Sequence, residues 1–370
     1  MKTIKEKYGE ETHKKRFGTE EKCRDFLVDI RWDGRPTCPR CGNKHMNYFL
    51  SSRNIWKCSD CEKQFSVTKG TIFESSKLPL VIWFKAIFII ATYKRGLSSC
   101  QLGRLLEIEQ RSAWFLLHRM REVMSDDNNL ILQGIVEADE AHFGPKIVED
   151  TRLQRLKKAH DKKQEEIHGL SKKKKRNLRG EPAKRGRKKG STKEVLAQKK
   201  IERENRGERV PFEQDIAVLG MIERGGKVVL RVLGRSEKSK TKNTIYPILK
   251  RHINSSSILY TDQWNLYDDT IDLFQDHKTV NHNKGYVVGQ VHTNSVENVW
   301  KHFRKVIDGT YFHMTLQHYQ KYLNEHAYRW NRIHVSDREK VDSFFDSIEG
   351  KRLKYQDLIS LPKQPYKLAS

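Results

Sequence analysis

Two C-x-x-C pairs, Cys38-Pro-Arg-Cys41 and Cys58-Ser-Asp-Cys61, stand sixteen residues apart near the start of the chain. Each pair can set two thiolates on one tight turn, and four thiolates complete the tetrahedral shell that zinc prefers. One structural Zn²⁺ held by Cys38, Cys41, Cys58 and Cys61 is therefore expected. The intervening "YFLSSRNIWKC" reads as a β-hairpin, with Trp56 and Phe65 available to pack beside the metal. His45 could stand in for one ligand, but four cysteines need no help. Cys23 and Cys100 fall outside the pattern and read as ordinary core residues. This ribbon is assigned to 18-76.

The chain has 370 residues, room for two or three domains, with a net charge of +25. Such an excess of Lys and Arg draws polyanions, and double-stranded DNA is the expected partner. Seven tryptophans and fifteen phenylalanines argue against wholesale disorder. A membrane surface is the rival partner. It loses ground because no apolar run reaches spanning length and "MKTIKEKYGEETHKKR" has no signal-peptide core. A cytoplasmic, nucleoid-associated location is expected, where disulfides are rare.

From Leu80 to Met124 the pattern turns helical. "PLVIWFKAIFIIATYKRG" is mostly apolar, and "LSSCQLGRLLEI" opens with Ser98 three residues before Gln101, a capping-box spacing. A third helix, "EQRSAWFLLHRMREVM", puts Trp114, Leu117 and Met120 on one face and Arg111, His118, Arg119 and Arg121 elsewhere. A helix-turn-helix over 77-126, its last basic helix entering the major groove, is the DNA-binding reading. The plain alternative is a three-helix bundle with a solvated basic face.

Beyond Asp126 the composition becomes strand-like. "LQGIVEADEAHFG" rises through Ile135 and Val136 to three acids, Glu137, Asp139 and Glu140. Alternation puts Glu137 and Asp139 on one face, so spacing alone cannot choose between them. "IAVLGMIERGGKVVLRVLG" is a hairpin turning at Arg224-Gly225-Gly226, and a helix is expected over "SKTKNTIYPILKRHI". The strand Ile258 to Tyr260 then ends in Asp262, and "VHTNSVENVWKHFRK" is an amphipathic helix carrying Glu297. This succession is that of an α/β, ribonuclease H-like core, in which a mixed sheet gathers acids from separated segments. Three carboxylates suit two Mg²⁺ ions, with Mn²⁺ as a substitute. One ion would activate water or a 3′-hydroxyl and the other would stabilise the leaving oxygen. In the helix, Val296, Val299, Trp300, Phe303 and Ile307 form an apolar stripe with Glu297 at its edge. An i,i+4 ion pair between Glu297 and Lys301 explains that glutamate equally well.

Five stretches in this order, "CPRCG…WKCSDCEKQFSVTKGTIFE", "GLSSCQLGRLLEI…SAWFLLHRMRE", "VEADEAHFG", "YTDQWNLY" and "VHTNSVENVWKHFRKVIDGTYFHMT", resemble the zinc-ribbon group of bacterial DDE insertion-sequence transposases, relatives of the eukaryotic Merlin elements. The resemblance runs from Phe17 to Ile333. It implies that Asp139 is the first catalytic acid rather than Glu137, that Asp262 is the second, and that Glu297, after thirty-four intervening residues, is the third. The family motif also covers His292 and Asn294, which would contact phosphate or shape the metal site. A helix cap at Asn294 or Ser295 is the alternative. Lys301 and Arg304 on the same helix are further candidate DNA contacts. The implied activity is metal-dependent DNA strand cleavage and strand transfer at an element's terminal inverted repeats, into target DNA, by a homodimer or larger synaptic oligomer. The other functional readings are a noncatalytic DNA-binding regulator derived from a transposase and a structure-selective repair or junction nuclease.

The catalytic domain is assigned to 130-335, interrupted by a basic insertion at 145-210 that departs from the family pattern. Within it Ser171 to Gly190 carries eleven Lys or Arg against one Glu. It reads as a basic loop gripping phosphates nonspecifically; "KRGRKKG" lacks the proline of a minor-groove AT-hook. "TLQHYQKYLNEHAYRWNRI" reads as a helix packing its aromatics against the Glu297 helix, and 336-370 as a C-terminal tail.

Overall fold

The computed structural model describes residues 8–143, 216–235, 241–262, 267, 270, 272–280, 292–311 and 314–360. Contacts divide the chain into Met1–Ala141 with Ile216–Ser370, and His142–Asp215. Apart from the end of one strand, the second unit lies outside the described residues, as does the basic insertion at 145–210 with its "KRGRKKG".

In the first unit two helices precede the ribbon, α1 (Glu10–Phe17) and α2 (Glu20–Trp32). The Thr19 hydroxyl starts α2 by accepting the Lys22 N–H at 3.3 Å. Strands β1 (Asn47–Leu50), β2 (Ile55–Cys58) and β3 (Gln64–Phe65) form an antiparallel sheet in that order. The expected hairpin is there, and Trp56 stacks on Phe65 with Trp32 edge-on to both. Helices α3 (Leu80–Thr92), α4 (Ser99–Leu106) and α5 (Gln110–Val123) follow. Ser98 caps α4 as its spacing predicts, its hydroxyl accepting the Gln101 N–H at 3.2 Å. Cys23 is buried, whereas Cys100 is exposed on the first turn of α4 and is not the core residue expected.

The second sheet joins β4 (Ile135–Phe143), β5 (Ile216–Glu223), β6 (Val228–Arg235), β7 (Ile258–Asp262) and β8 (Asp276–Val280) in the order β6-β5-β4-β7-β8. β5 and β6 are antiparallel, while β4, β7 and β8 run parallel. It is a mixed sheet, as anticipated, with β8 unforeseen. Strand β5 is buried from Ile216 to Ile222, so both faces are covered. Alternation divides them. Ala217, Leu219 and Met221 join Val136 and Ala138 beneath helix α6 (Lys242–His252), through Ile245, Ile248 and Leu249. The opposite face carries Glu137 and Asp139 and meets helix α7 (Asn294–Val306), which ends in a π turn, Ile307–Tyr311. A Cβ at Gly220 would collide with the Trp300 ring and reach to 3.0 Å from Val296, so α7 lies this close only because position 220 lacks a side chain.

Helix α8 (Leu316–Trp330) guards the free edge of the sheet. Gln320 accepts the Val232 N–H at 2.9 Å and donates to Leu230 O at 2.8 Å, and Asn331 does the same for both backbone groups of Val228. These side chains occupy backbone groups that an edge strand otherwise offers to another chain. Phe303 of α7 meets Tyr319 and His326 of α8, the packing expected from the sequence.

The described part of the segment beyond Ser336, up to residue 360, packs against the N-terminal helices. Helix α9 (Asp337–Phe345) begins with a Ser336–Glu339 capping box and inserts Val341, Phe344 and Phe345 into the core shared by α1, α2 and α3. Asp342 pairs with Arg16, Glu349 with Arg31, and helix α10 (Tyr355–Ile359) sets Tyr355 against Phe115. Among the described residues no helix is long and apolar enough to cross a membrane.

A buried ion network fastens α5 to α8. Arg121 and Glu325, each 2 % exposed, pair at 2.8 Å, and Arg329 holds the other Glu325 oxygen. Burial opposes the Glu325 charge, but Arg121 and Arg329 outweigh it and draw its carboxyl down to about 2. Removing one member leaves buried positive charge without its counterion. Glu325→Gln is expected to lower unfolding free energy by about 3 kcal/mol at neutral pH, measured by urea denaturation of the full chain. The deficit should shrink as pH falls from about 4.5 toward 2, where the native carboxylate also takes up a proton.

Candidate functional site

The four cysteines of the paired motifs converge as predicted: Cys38, Cys41, Cys58 and Cys61 have sulfurs all within 4.8 Å of one another, and all are free. Backbone N–H groups of Cys61 and Asp60 point at Cys58, and outweigh desolvation to lower its thiol to about 6. Four converging sulfurs, with the thiols of Cys38 and Cys58 lowered and that of Cys41 raised by its sulfur neighbours, fit a structural Zn²⁺. His45 is exposed and outside the group.

Glu137 and Asp139 share one face of β4 and have different surroundings. Glu137 is fully buried. Its Oε2 accepts the N–H of Ser295 at 2.8 Å and of Val296 at 3.3 Å, at the first turn of α7. Its Oε1 accepts the Ser295 hydroxyl at 2.9 Å and Arg224 at 3.1 Å, with His292 Nδ1 at 3.4 Å. The α7 N-terminus is thus capped by a carboxylate from the sheet, not by Asn294 or by Ser295 itself, and N-cap Thr293 has its hydroxyl turned elsewhere.

Asp139 is one step further out along β4. Its Oδ2 accepts Trp300 Nε1–H at 2.9 Å. The carboxyl is pushed up to about 6, first by burial, then by the charge of Asp262, with Glu297 adding to it; bonds from Trp300 and the Glu140 backbone pull the other way. Asp262 ends β7 and accepts the Thr293 hydroxyl at 3.2 Å. Glu297 is exposed on α7, three residues before Trp300, and among the described residues no ion pair joins it to Lys301. Asp139 therefore feels both other acids, brought to it from 123 and 158 residues away in the sequence (262 − 139 and 297 − 139). Their ligand atoms are more widely spread than the cysteine sulfurs, the one group of three or more that closes to 4.8 Å among the described residues.

Trp300 was expected only as an apolar stripe residue. It is buried as expected, but its indole N–H carries the contact to Asp139. Arg224, Thr293 and Ser295 were not foreseen as site residues either; a polar residue in a glycine turn or before a helix is too common a signal. Val306, rather than half-buried Ile307, completes the stripe.

The basic candidates separate by burial. Lys301 and Arg304 are exposed on α7. His292 is half-buried against Glu137 and Arg224. Arg111 is exposed at the start of α5, with its guanidinium on Tyr355. His118 and Arg119 were assigned to an outward basic face, and both are buried. Helix α5 is enclosed by α8 and the C-terminal segment: His118 lies among Trp114, His318 and Tyr322, and Arg119 binds the carbonyls of Glu74 and Leu353. Their periodicity matches a solvated face because nothing in the local sequence marks His318, Tyr322 and Leu353, two hundred or more residues away, as the groups that cover them.

Two family profiles match the chain: the transposase zinc-ribbon domain at residues 18–64 and the ISXO2-like transposase domain at 169–331. The latter includes Asp262 and Glu297 and begins after Asp139. The chain is similar to an uncharacterized protein in transposable element ISH50 of Halobacterium salinarum, 26% identical over 291 residues, 77% of this chain and 82% of that one. It is also similar to an uncharacterized transposase-like protein of Haemophilus influenzae, 25% identical over 99 residues, 26% of this chain and 79% of that one.

An Asp whose folded-state affinity for a proton is raised destabilises the fold once pH exceeds its unfolded value. In magnesium-free buffer that retains zinc, Asp139→Asn should therefore stabilise the protein, on the order of 1–2 kcal/mol above about pH 6. The gain should disappear below about pH 4, where the native carboxyl is neutral in both states. Thermal denaturation across pH 4 to 8 checks it.

Proposed function

We propose, from the premise that this chain belongs to the zinc-ribbon family of DDE insertion-sequence transposases, that it cleaves DNA at the terminal inverted repeats of an element. It then joins the freed end to target DNA, with Asp139, Asp262 and Glu297 as the catalytic acids. The observation that carries this reading is geometric: Asp139 and Asp262 stand on adjacent parallel strands, and each is hydrogen-bonded to the segment of α7 that bears Glu297. Hard carboxylate oxygens that repel one another fit divalent cations such as Mg²⁺. Bound there, two such ions would lower the pKa of a nucleophilic water or hydroxyl and stabilise the departing oxygen.

The chain's own residues supply the frame. Trp300 fixes one oxygen of Asp139 and Thr293 fixes Asp262, so two acids from adjacent parallel strands are tied to the helix that bears Glu297. Cleavage forms a bond from a water oxygen to phosphorus and releases the 3′-oxygen as a hydroxyl. In joining, that hydroxyl oxygen bonds a target phosphorus and the target's own 3′-oxygen leaves, so the number of phosphodiester bonds is unchanged.

The order β6-β5-β4-β7-β8, with an antiparallel hairpin beside parallel strands and an acid on both central strands, supports a ribonuclease H-like core. Exposed Lys301 and Arg304 are suited to backbone phosphates beside the acids, and exposed Arg111 to DNA at the helix-turn-helix; buried His118 and Arg119 are not assigned such contacts. A dimer or larger synaptic assembly would bring two element ends together.

Asp139→Asn and Asp262→Asn are each expected to reduce Mg²⁺-dependent nicking of an inverted-repeat substrate at least a thousandfold, with DNA binding within threefold of the native protein. Native nicking rates in either variant, measured beside a gel-shift titration, would contradict the assignment.

A further inference from the structure

We propose that Glu137 is a positioning residue: its carboxylate clamps the first turn of α7 to strand β4, and so sets the separation of Glu297 from Asp139. This rests on the catalytic reading above and adds a fourth acid to it, one that acts without touching metal or DNA.

Glu137 is fully buried, and each of its oxygens is engaged. Two backbone N–H groups, one hydroxyl and one guanidinium converge on it, so no lone pair remains directed at the acid trio. The N–H donors belong to Ser295 and Val296, the two residues immediately before Glu297. Glu137 itself lies two residues before Asp139 on the same strand face. The clamp and the catalytic pair are thus repeats of one register: Glu137 to Ser295 at one end, Asp139 to Trp300 at the other. Two anchors five residues apart on α7 (300 − 295), tied to positions two apart on β4 (139 − 137), fix both the height and the rotation of the helix. Glu297 lies between them. Without the Glu137 anchor, the first turn of α7 keeps the Thr293–Asp262 bond and the packing of Val296 but loses its only tie to β4 among the described contacts, so Glu297 shifts relative to Asp139. Charge adds to the geometry, because a carboxylate at a helix N-terminus is favoured by the helix dipole. Arg224, from the β5–β6 turn, neutralises the buried negative charge, and His292 Nδ1 approaches the same Glu137 oxygen at 3.4 Å.

The test uses full-length protein and Mn²⁺ as the probe, with binding read by electron paramagnetic resonance and nicking measured in parallel. Glu137→Gln keeps one acceptor but introduces an amide where four donors point. It should weaken Mn²⁺ binding about tenfold and raise the Mn²⁺ concentration for half-maximal nicking by a similar factor, with zinc content and DNA affinity unchanged. Ser295→Ala removes only the hydroxyl bond and should weaken Mn²⁺ binding about threefold, while Ser295→Thr restores native affinity. Should Glu137→Gln fail to fold, the Ser295 pair decides alone. Unchanged Mn²⁺ affinity in Ser295→Ala together with, where it folds, Glu137→Gln would overturn the proposal, as would loss in Glu137→Gln as complete as in Asp139→Asn, the mark of a direct ligand. Native protein that neither binds Mn²⁺ nor nicks would instead refute the catalytic reading itself.

Discussion

Helix α7 rests on the sheet through two hydrogen-bonded anchors that come from a single strand. Glu137 holds its first turn and Asp139 receives its Trp300 indole, so the strand and the helix are pinned at two heights. The rest of the arrangement is built to permit that contact. Gly220 lets the Trp300 ring approach β5, Arg224 offsets the buried Glu137 charge, and Thr293 ties Asp262 of the neighbouring strand to the same helix. Glu137, Asp139 and Asp262 are each hydrogen-bonded to α7 or to Thr293 at its start, so their placement is coupled to that of the helix.

The same logic joins the N-terminal helices to the sheet. Arg121, Glu325 and Arg329 form a network with almost no solvent access, where the carboxylate is shared by two guanidiniums from different helices. Arg329 also reaches the carbonyls of Ile90 and Tyr93 at the end of α3. The desolvation of these charges offsets much of their attraction, so the network is costly to break without being a large net source of stability. It fixes the helices of the DNA-binding reading relative to the acids, and α9 returns from the C-terminal side to complete their apolar core.

Much of this was legible from local chemistry. The C-x-x-C spacing, the Ser98 cap, the glycine hairpin and the end of β7 at Asp262 are short-range signals, and short-range forces decide them; β4 instead runs on past Asp139 to Phe143. The choice between Glu137 and Asp139 was not legible from spacing, because both lie on one face. It becomes intelligible through their partners: one carboxylate meets helix N–H groups, the other meets an indole and two like charges. Strand β8, DHKTV, carries charge and a histidine where a buried strand is usually apolar, and its edge position accounts for that. Helix α9 carries a local signature, Ser336 three residues before Glu339 ahead of the apolar pair Phe344 and Phe345. His118 and Arg119 misled because their buried partners are distant in sequence.

The central claim is that the strand presents two acids with separate tasks, one to the metal site and one to the helix. A crystal structure of the full-length protein soaked with Mn²⁺, with the ion located by its anomalous signal, tests this directly. The account predicts density coordinated by Asp139 and Asp262 with Glu297 alongside, and Glu137 still bonded to the Ser295 and Val296 N–H groups. Density coordinated by Glu137, or manganese bound with Asp139 uninvolved, would contradict it.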